Sequence, residues 1–160
     1  MRLALYQPDI PQNTGTILRT AACLGVPVDI IGPAGFDLSD RAFRRAGLDY
    51  LRAAIVERHL SFASFLAVAR TANRRLLLLS TKATTPHLEF RFEANDVLML
   101  GRESSGVPDE VHDTAAARIV IPLVGGQRSL NIAVAAAIGL AEALRQTGGF
   151  PASAAAVAPP

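Results

Sequence analysis

Short apolar runs alternate with longer amphipathic stretches along this chain. "RLALY" (2–6), "VPVDIIG" (26–32), "AAIVE" (53–57), "RLLLLS" (75–80), "DVLMLG" (96–101) and "RIVIP" (118–122) read as strands. The runs at 75–80 and 96–101 are apolar at nearly every position, the mark of strands covered on both faces. Between them the period changes. In "TGTILRTAACLG" (14–25) Ile17, Ala21 and Leu24 share a helical face and Gly25 stops the helix. "DRAFRRAG" (40–47) predicts a short helix, and "SFASFLAVARTA" (61–72) a longer one with Ser61 as its cap and Phe62, Phe65, Leu66 and Ala69 inward. A last helix is expected from about Ser129 to Gln146. Strand and helix in alternation predict an α/β fold, a mostly parallel sheet with helices on both faces.

The 160 residues suit one domain, expected over 1–151, with the Ala/Pro-rich segment 152–160 as a disordered tail. No apolar run reaches the roughly 18–20 residues of a membrane helix. The apolar start is too short for a signal peptide. A single cysteine, Cys23, allows no internal disulfide and no metal cluster. A soluble cytoplasmic protein that needs neither membrane nor metal is therefore expected.

Net charge is only +2, but Lys82 is the single lysine among 16 basic residues. Arginine forks suit phosphate recognition, and a GC-rich genome gives the same bias. Arg41, Arg44 and Arg45 cluster more tightly and form a candidate RNA-binding face; a solvated helix face reads much the same.

In a parallel sheet, ligands sit beyond the carboxyl ends of the strands, so the loops there matter most. In "QPDIPQNTGTILR" (7–19) the prolines stiffen the chain and Asn13 stands where a helix cap belongs, before free N–H groups that suit an anion. Arg19 follows two turns later. "LSTKATTP" (79–86) is polar but not distinctive. "LMLGRESSGVP" (98–108) has Gly101 and Gly106 around Glu103; Val107 stands where a phosphate-binding loop needs lysine, so a nucleoside triphosphatase is excluded. In "VGGQRSLNIAVAAAIGLAEALR" (124–145) Ser129 is the expected cap, yet Ile132 denies it a capping box. Asn131 is placed to fasten a neighbouring loop. The Ala- and Gly-rich helix behind it is apolar on most sides, as at a subunit interface or in a packed core.

Together, "PDIPQNTGTILRTAACLG", "LMLGRESSGVP" and "IPLVGGQRSLNIAVAAAIGLAEALR" resemble the three motifs of the SPOUT-class RNA 2′-O-ribose methyltransferases. "RRAGLDY" (44–50) is similar to the small single-domain type that methylates the wobble ribose, C or U, of tRNA anticodons. The resemblance covers residues 2–151. It implies a C-terminal deep trefoil knot, which general topology rules would exclude. It also implies a homodimer, tRNA as partner and S-adenosylmethionine as cofactor, leaving S-adenosylhomocysteine. Cofactor contacts would fall on Leu79, Gly101, Ile121 and Ser129, with Gly106 and Leu130 beside them. Arg19 would act on the ribose hydroxyl and its phosphate, with Asn13 and Glu103 orienting it and Asn131 bracing the site. One departure stands in "IGLAEAL", where related enzymes can carry a tyrosine linked with tRNA handling. Methylation of another tRNA position or of ribosomal RNA is therefore an alternative, and a catalytically silent RNA-binding dimer a further one.

Overall fold

A computed structural model describes residues 1–37 and 54–152. The strands are β1 (Arg2–Tyr6), β2 (Val28–Ile31), β3 (Val56–His59), β4 (Arg75–Leu79), β5 (Thr85–Pro86), β6 (Asp96–Leu100) and β7 (Ala117–Val120). The helices are α1 (Pro11–Cys23), α2 (Phe62–Thr71), α3 (Asp109–Thr114) and α4 (Ile132–Thr147). All the strands join one seven-stranded sheet in the order β3-β2-β1-β6-β4-β7-β5. Every pairing in it is parallel, as the alternating pattern predicts.

The two-residue period of the strands divides the core between the faces. Leu3, Leu5, Val28, Ile30, Leu77, Leu98 and Leu100 pack with Ile17 and Leu18 of α1 and Ala136, Leu140 and Leu144 of α4. Ala4, Tyr6, Ile31, Leu76, Leu78, Val97 and Met99 pack with Phe65 and Ala69 of α2 and Val111 of α3. The central strands β1 and β6 are thus apolar at every position after the first, Arg2 and Asp96, because helices cover both sides. Ser61 caps α2 in a reciprocal capping box with Ser64, the expected start signal. Among the described residues, no helix is long and apolar enough to cross a membrane.

Several expected boundaries move. α1 starts at Pro11 rather than after Asn13: the proline ring presets the helical angle at the first position, and Ile10 caps without a side-chain bond. Asn13 is thus inside the first turn and caps nothing. α4 starts at Ile132, and Asn131, not Ser129, is its cap: Asn131 Oδ1 accepts from the Ala133 and Val134 amides at 2.9 and 3.4 Å. β3 lies later than the expected 53–57. Helix α3 and the short edge strand β5 were not legible in the pattern, both being too short to show a period. The expected helix at 40–47, with Arg41, Arg44 and Arg45, lies outside the described residues, as does the tail from 153.

α4 comes so close to the sheet that a Cβ on Gly139 would stand 3.0 Å from Leu98 Cδ2. Ala133, Ala136 and Gly139 face the chain's own core. Of the two settings expected for this helix, the packed core applies to that stripe; the positions turned away from it are Val134, Ala137, Ile138 and Ala141.

Candidate functional site

A cavity of about 560 Å³ opens beyond the carboxyl ends of β4, β6 and β7. Three successive loops wall it. Leu79, Ser80 and Lys82 follow β4; Gly101, Glu103 and Gly106 follow β6; Ile121, Ser129 and Leu130 follow β7. Each residue that the sequence suggests for cofactor binding therefore lines this one space. The floor is apolar, with Leu78, Leu100, Val107 and Ile132, while Lys82, Arg102 and Arg128 bring positive charge to the lining. A pocket of this volume, with apolar surface and a rich set of polar groups, suits a nucleoside-sized ligand.

The loop after β6 closes on itself. Arg102 and Gly106 exchange backbone hydrogen bonds at 2.9 Å each way. Gly106 sits at φ 70°, where a side chain is strained. A Cβ on Gly101 would lie 2.7 Å from the Gly106 carbonyl carbon and 2.9 Å from its Cα, so only glycine fits there. Gly125 and Gly126, in the loop before α4, are not among the lining residues. Gly126, at φ 88°, turns the chain instead.

A hydrogen-bonded chain joins the loops. Asn131 Nδ2 donates to Asn13 Oδ1 at 3.0 Å, and Asn13 Nδ2 donates to Glu103 Oε1 at 3.3 Å. Asn131 thus caps α4 and reaches α1 with the other end of the same amide. Sequence reasoning named these three residues but missed Asp9. The Asp9 amide donates to Glu103 Oε2 at 3.3 Å, and the Asp9 carboxylate accepts from the Glu103 amide at 3.1 Å and from the Ser104 hydroxyl. Burial, and then the neighbouring Asp9 carboxyl, hold Glu103 above the usual carboxylate range. Asp9 is lowered to about 2, first by its hydrogen bond with Glu103, then by Ser104 and the loop amides. Each acid is thus tuned in the opposite direction to the other.

Arg19 stands on the exposed side of α1, outside the cavity lining. His112, which no motif pointed to, is buried and lines the cavity from α3. Among the described residues one other group has metal-ligand spacing: Asp29, Glu57 and His59. The Arg2 guanidinium already bonds both of its carboxylates, at 2.6 and 3.0 Å, which makes the group an ion-pair network of the sheet.

The site and its sheet define an α/β protein with a nucleoside-sized pocket at the carboxyl edge. Residues 1–141 match the SpoU rRNA Methylase family, and the chain belongs to that family. It is 61% identical over 146 residues to a tRNA (cytidine(34)-2′-O)-methyltransferase of Beijerinckia indica subsp. indica, covering 91% of each chain. A solved structure described as giving insights into the 2-OH methylation of C/U34 on tRNA superposes with a TM-score of 0.86 at 43% identity, covering 91% of this chain and 94% of that one. An AdoMet-bound rRNA methyltransferase of Sinorhizobium meliloti superposes with a TM-score of 0.83 at 29% identity, over 90% of this chain and 55% of that one.

Proposed function

We propose that this chain transfers a methyl group from S-adenosylmethionine to the ribose 2′-OH of the wobble nucleotide, C or U, in the tRNA anticodon. The convergence of the motif loops on one cavity, beside the Asn13–Glu103–Asn131 chain, carries the reading. The likeness over nearly the whole chain to tRNA (cytidine(34)-2′-O)-methyltransferases gives the substrate. The AdoMet-bound relative supports the cofactor. The residues present fit that molecule: Leu78, Leu100, Val107 and Ile132 offer apolar surface to an adenine ring, and Asn13, Ser80, Glu103 and Ser129 offer polar partners.

S-adenosylmethionine, when bound, supplies a methyl already activated on sulfonium. Transfer forms a C–O bond at ribose O2′ and breaks the S–CH₃ bond, whose electron pair stays on sulfur. The hydroxyl proton must leave. A guanidinium does not deprotonate in proteins. In this reading Arg19, exposed on α1 outside the cavity lining, meets the substrate from the solvent side, holds the adjacent phosphate and stabilises the negative charge developing on O2′, and an RNA phosphate oxygen takes the proton. Asn13 and Glu103 orient the substrate side of the cavity, and Asn131 keeps Asn13 in place. Leu79, Gly101, Gly106, Ile121, Ser129 and Leu130 hold the cofactor, and no metal takes part. Arg41, Arg44 and Arg45 belong to the RNA-binding face in this reading.

The proposal includes the trefoil knot of the C-terminal part, a homodimer and action in the cytoplasm. The outward positions Val134, Ala137, Ile138 and Ala141 of α4 support the dimer, Val134 being 48% exposed. Sedimentation of the wild type as a monomer at micromolar concentration would overturn it.

The decisive experiment incubates pure protein with S-adenosylmethionine and total tRNA and maps the methylated nucleoside. Methyl at the wobble ribose is expected; methyl at another nucleotide would replace the substrate. Arg19→Ala should retain cofactor affinity and lose on the order of 10²–10³ in single-turnover rate. Near-normal turnover would remove Arg19 from the mechanism.

A further inference from the structure

The mechanism above leaves Asp9 without a role, although its side chain bonds two successive residues, Glu103 and Ser104, that line the cavity. It belongs to the loop between β1 and α1, which carries Asn13. Its partners all belong to the loop after β6, which walls the cavity. The Asp9 carboxylate accepts from the Glu103 amide at 3.1 Å and from the Ser104 hydroxyl, and it lies 3.7 Å from Arg102 Nε. In return, the Asp9 amide donates to Glu103 Oε2 at 3.3 Å. The contact therefore runs both ways between the same two residues, 94 positions apart in sequence.

The Asp9 backbone is also pinned from behind. The Gly35 amide donates to the Pro8 carbonyl at 2.8 Å. A Cβ at Gly35 would stand 3.0 Å from both Cα and Cβ of Asp9. A residue gripped on one side by backbone and on the other by a ligand-side loop is built to fix a distance between two loops. Capping of α1 does not explain it, since α1 starts at Pro11 with no side-chain cap.

We propose that Asp9 is a positioning residue for methyl transfer: its carboxylate clasps the Gly101–Gly106 loop to the segment that leads into α1 and so sets where Glu103 and Asn13, in the first turn of α1, stand relative to the cavity. The inference rests on the reading of this cavity as the S-adenosylmethionine site. Small displacements matter at this point, because in-line transfer tolerates little error in the approach of the hydroxyl.

The clasp has a titration signature that a plain structural contact lacks. Among the described residues, the charged groups seen in contact within the clasp are Asp9 from the first loop and Arg102 and Glu103 from the second, and the side chains that reach it from α1 and α4, Asn13 and Asn131, are neutral. The Asp9 carboxylate helps to keep Glu103 above the usual carboxylate range. Glu103 accepts from Asn13 and from the Asp9 amide, which its ionised form does best. Activity should thus rise with pH as Glu103 ionises. Removing the Asp9 charge should lower the Glu103 pKa and move that limb to lower pH.

The test uses the full chain with S-adenosylmethionine and tRNA. Asp9→Asn keeps an acceptor for the Glu103 amide and removes the charge. Expected are near-wild-type S-adenosylmethionine affinity by calorimetry, a single-turnover rate lower by roughly 10-fold to 100-fold at neutral pH, and an acid limb displaced to lower pH. Asp9→Glu should restore part of the rate and return the limb upward. Wild-type rate with an unmoved limb in Asp9→Asn would overturn the proposal. If Asp9→Asn fails to fold, Ser104→Ala removes one bond of the clasp from the other side; a lower rate at unchanged cofactor affinity supports the clasp, and an unchanged rate overturns it. Absence of S-adenosylmethionine binding to the wild type would instead strike the underlying reading of the cavity.

Discussion

The sheet has a polar edge where its strands begin and another where they end, and the two are built differently. At the beginning, Arg2 grips Asp29 with bonds of 2.6 and 2.8 Å, and Asp29 also meets, at 2.8 Å, Nε2 of His59, which reaches back from the end of β3. Arg75 grips Asp96 at 2.7 and 2.8 Å, while Asp96 also accepts the Glu93 amide at 2.8 Å. Both aspartates are only 1% exposed. At the other edge, Asn13, Glu103 and Asn131 are joined by bonds of 3.0 and 3.3 Å and line an open cavity. The first edge has short bonds, deep burial and its carboxylate oxygens already committed. The second has longer bonds and polar groups turned towards a space large enough for a ligand. Both are polar clusters on the same scaffold; saturation and burial separate the one that holds the fold from the one that has capacity left to bind.

The largest effect should come from breaking the saturated edge. Asp29→Ala leaves the Arg2 guanidinium, 13% exposed, without its main partner. Removing one member of a buried pair costs about 3–5 kcal/mol, because the remaining charge stays desolvated. Urea unfolding should show this loss, while the folded fraction binds S-adenosylmethionine as before. A change of only a few tenths of a kcal/mol would mean that burial at this edge carries no structural weight.

The reverse asymmetry should appear in Gly101→Ala. The new methyl meets the Gly106 backbone at 2.7–3.0 Å, and backbone cannot rotate away. Overpacking of this kind costs about 1–3 kcal/mol, which corresponds to roughly 10-fold to 100-fold in affinity if the strain falls on the ligand site. The cavity leaves the loop room to shift, so cofactor affinity should fall further than the urea midpoint. Equal losses in both would show that this loop is structural like the opposite edge.

That contrast also explains what the sequence could and could not tell. Period and apolar runs located most elements, because β4 and β6 are covered on both faces and α2 carries its own cap. Motif resemblance brought Leu79, Gly101, Ile121 and Ser129 to one cavity before any geometry was known. Asp9 was missed because an acid between two prolines reads as loop solvation; only the approach of a segment 94 residues away gives it partners. The capping role expected of Ser129 falls to Asn131 for a similar reason: both suit a cap, and the bond from Asn131 to Asn13, on another helix, is not visible in the local sequence. Arg2 and Asp29 looked like ordinary strand residues, since register across neighbouring strands is what joins them.

The smallest effect should come from the exposed end of the saturated edge. Glu57 also pairs with Arg2, at 3.0 Å, but its side chain is 47% exposed. An exposed ion pair is worth about 0–1 kcal/mol and is screened by salt. Glu57→Gln should therefore move the urea midpoint little, and not at all in about 1 M salt, where the Debye length is about 3 Å. The informative comparison is the double variant. With Asp29 present, Arg2 keeps its buried partner when Glu57 is neutralised. In the Asp29→Ala background, Glu57 is, among the described residues, the carboxylate still bonded to Arg2, so its loss should cost more than in the wild type. Contacting residues that share a partner are expected to show such non-additivity. Strict additivity in the double variant would mean that Arg2 does not link the two acids, and that the edge is a set of separate pairs rather than one network.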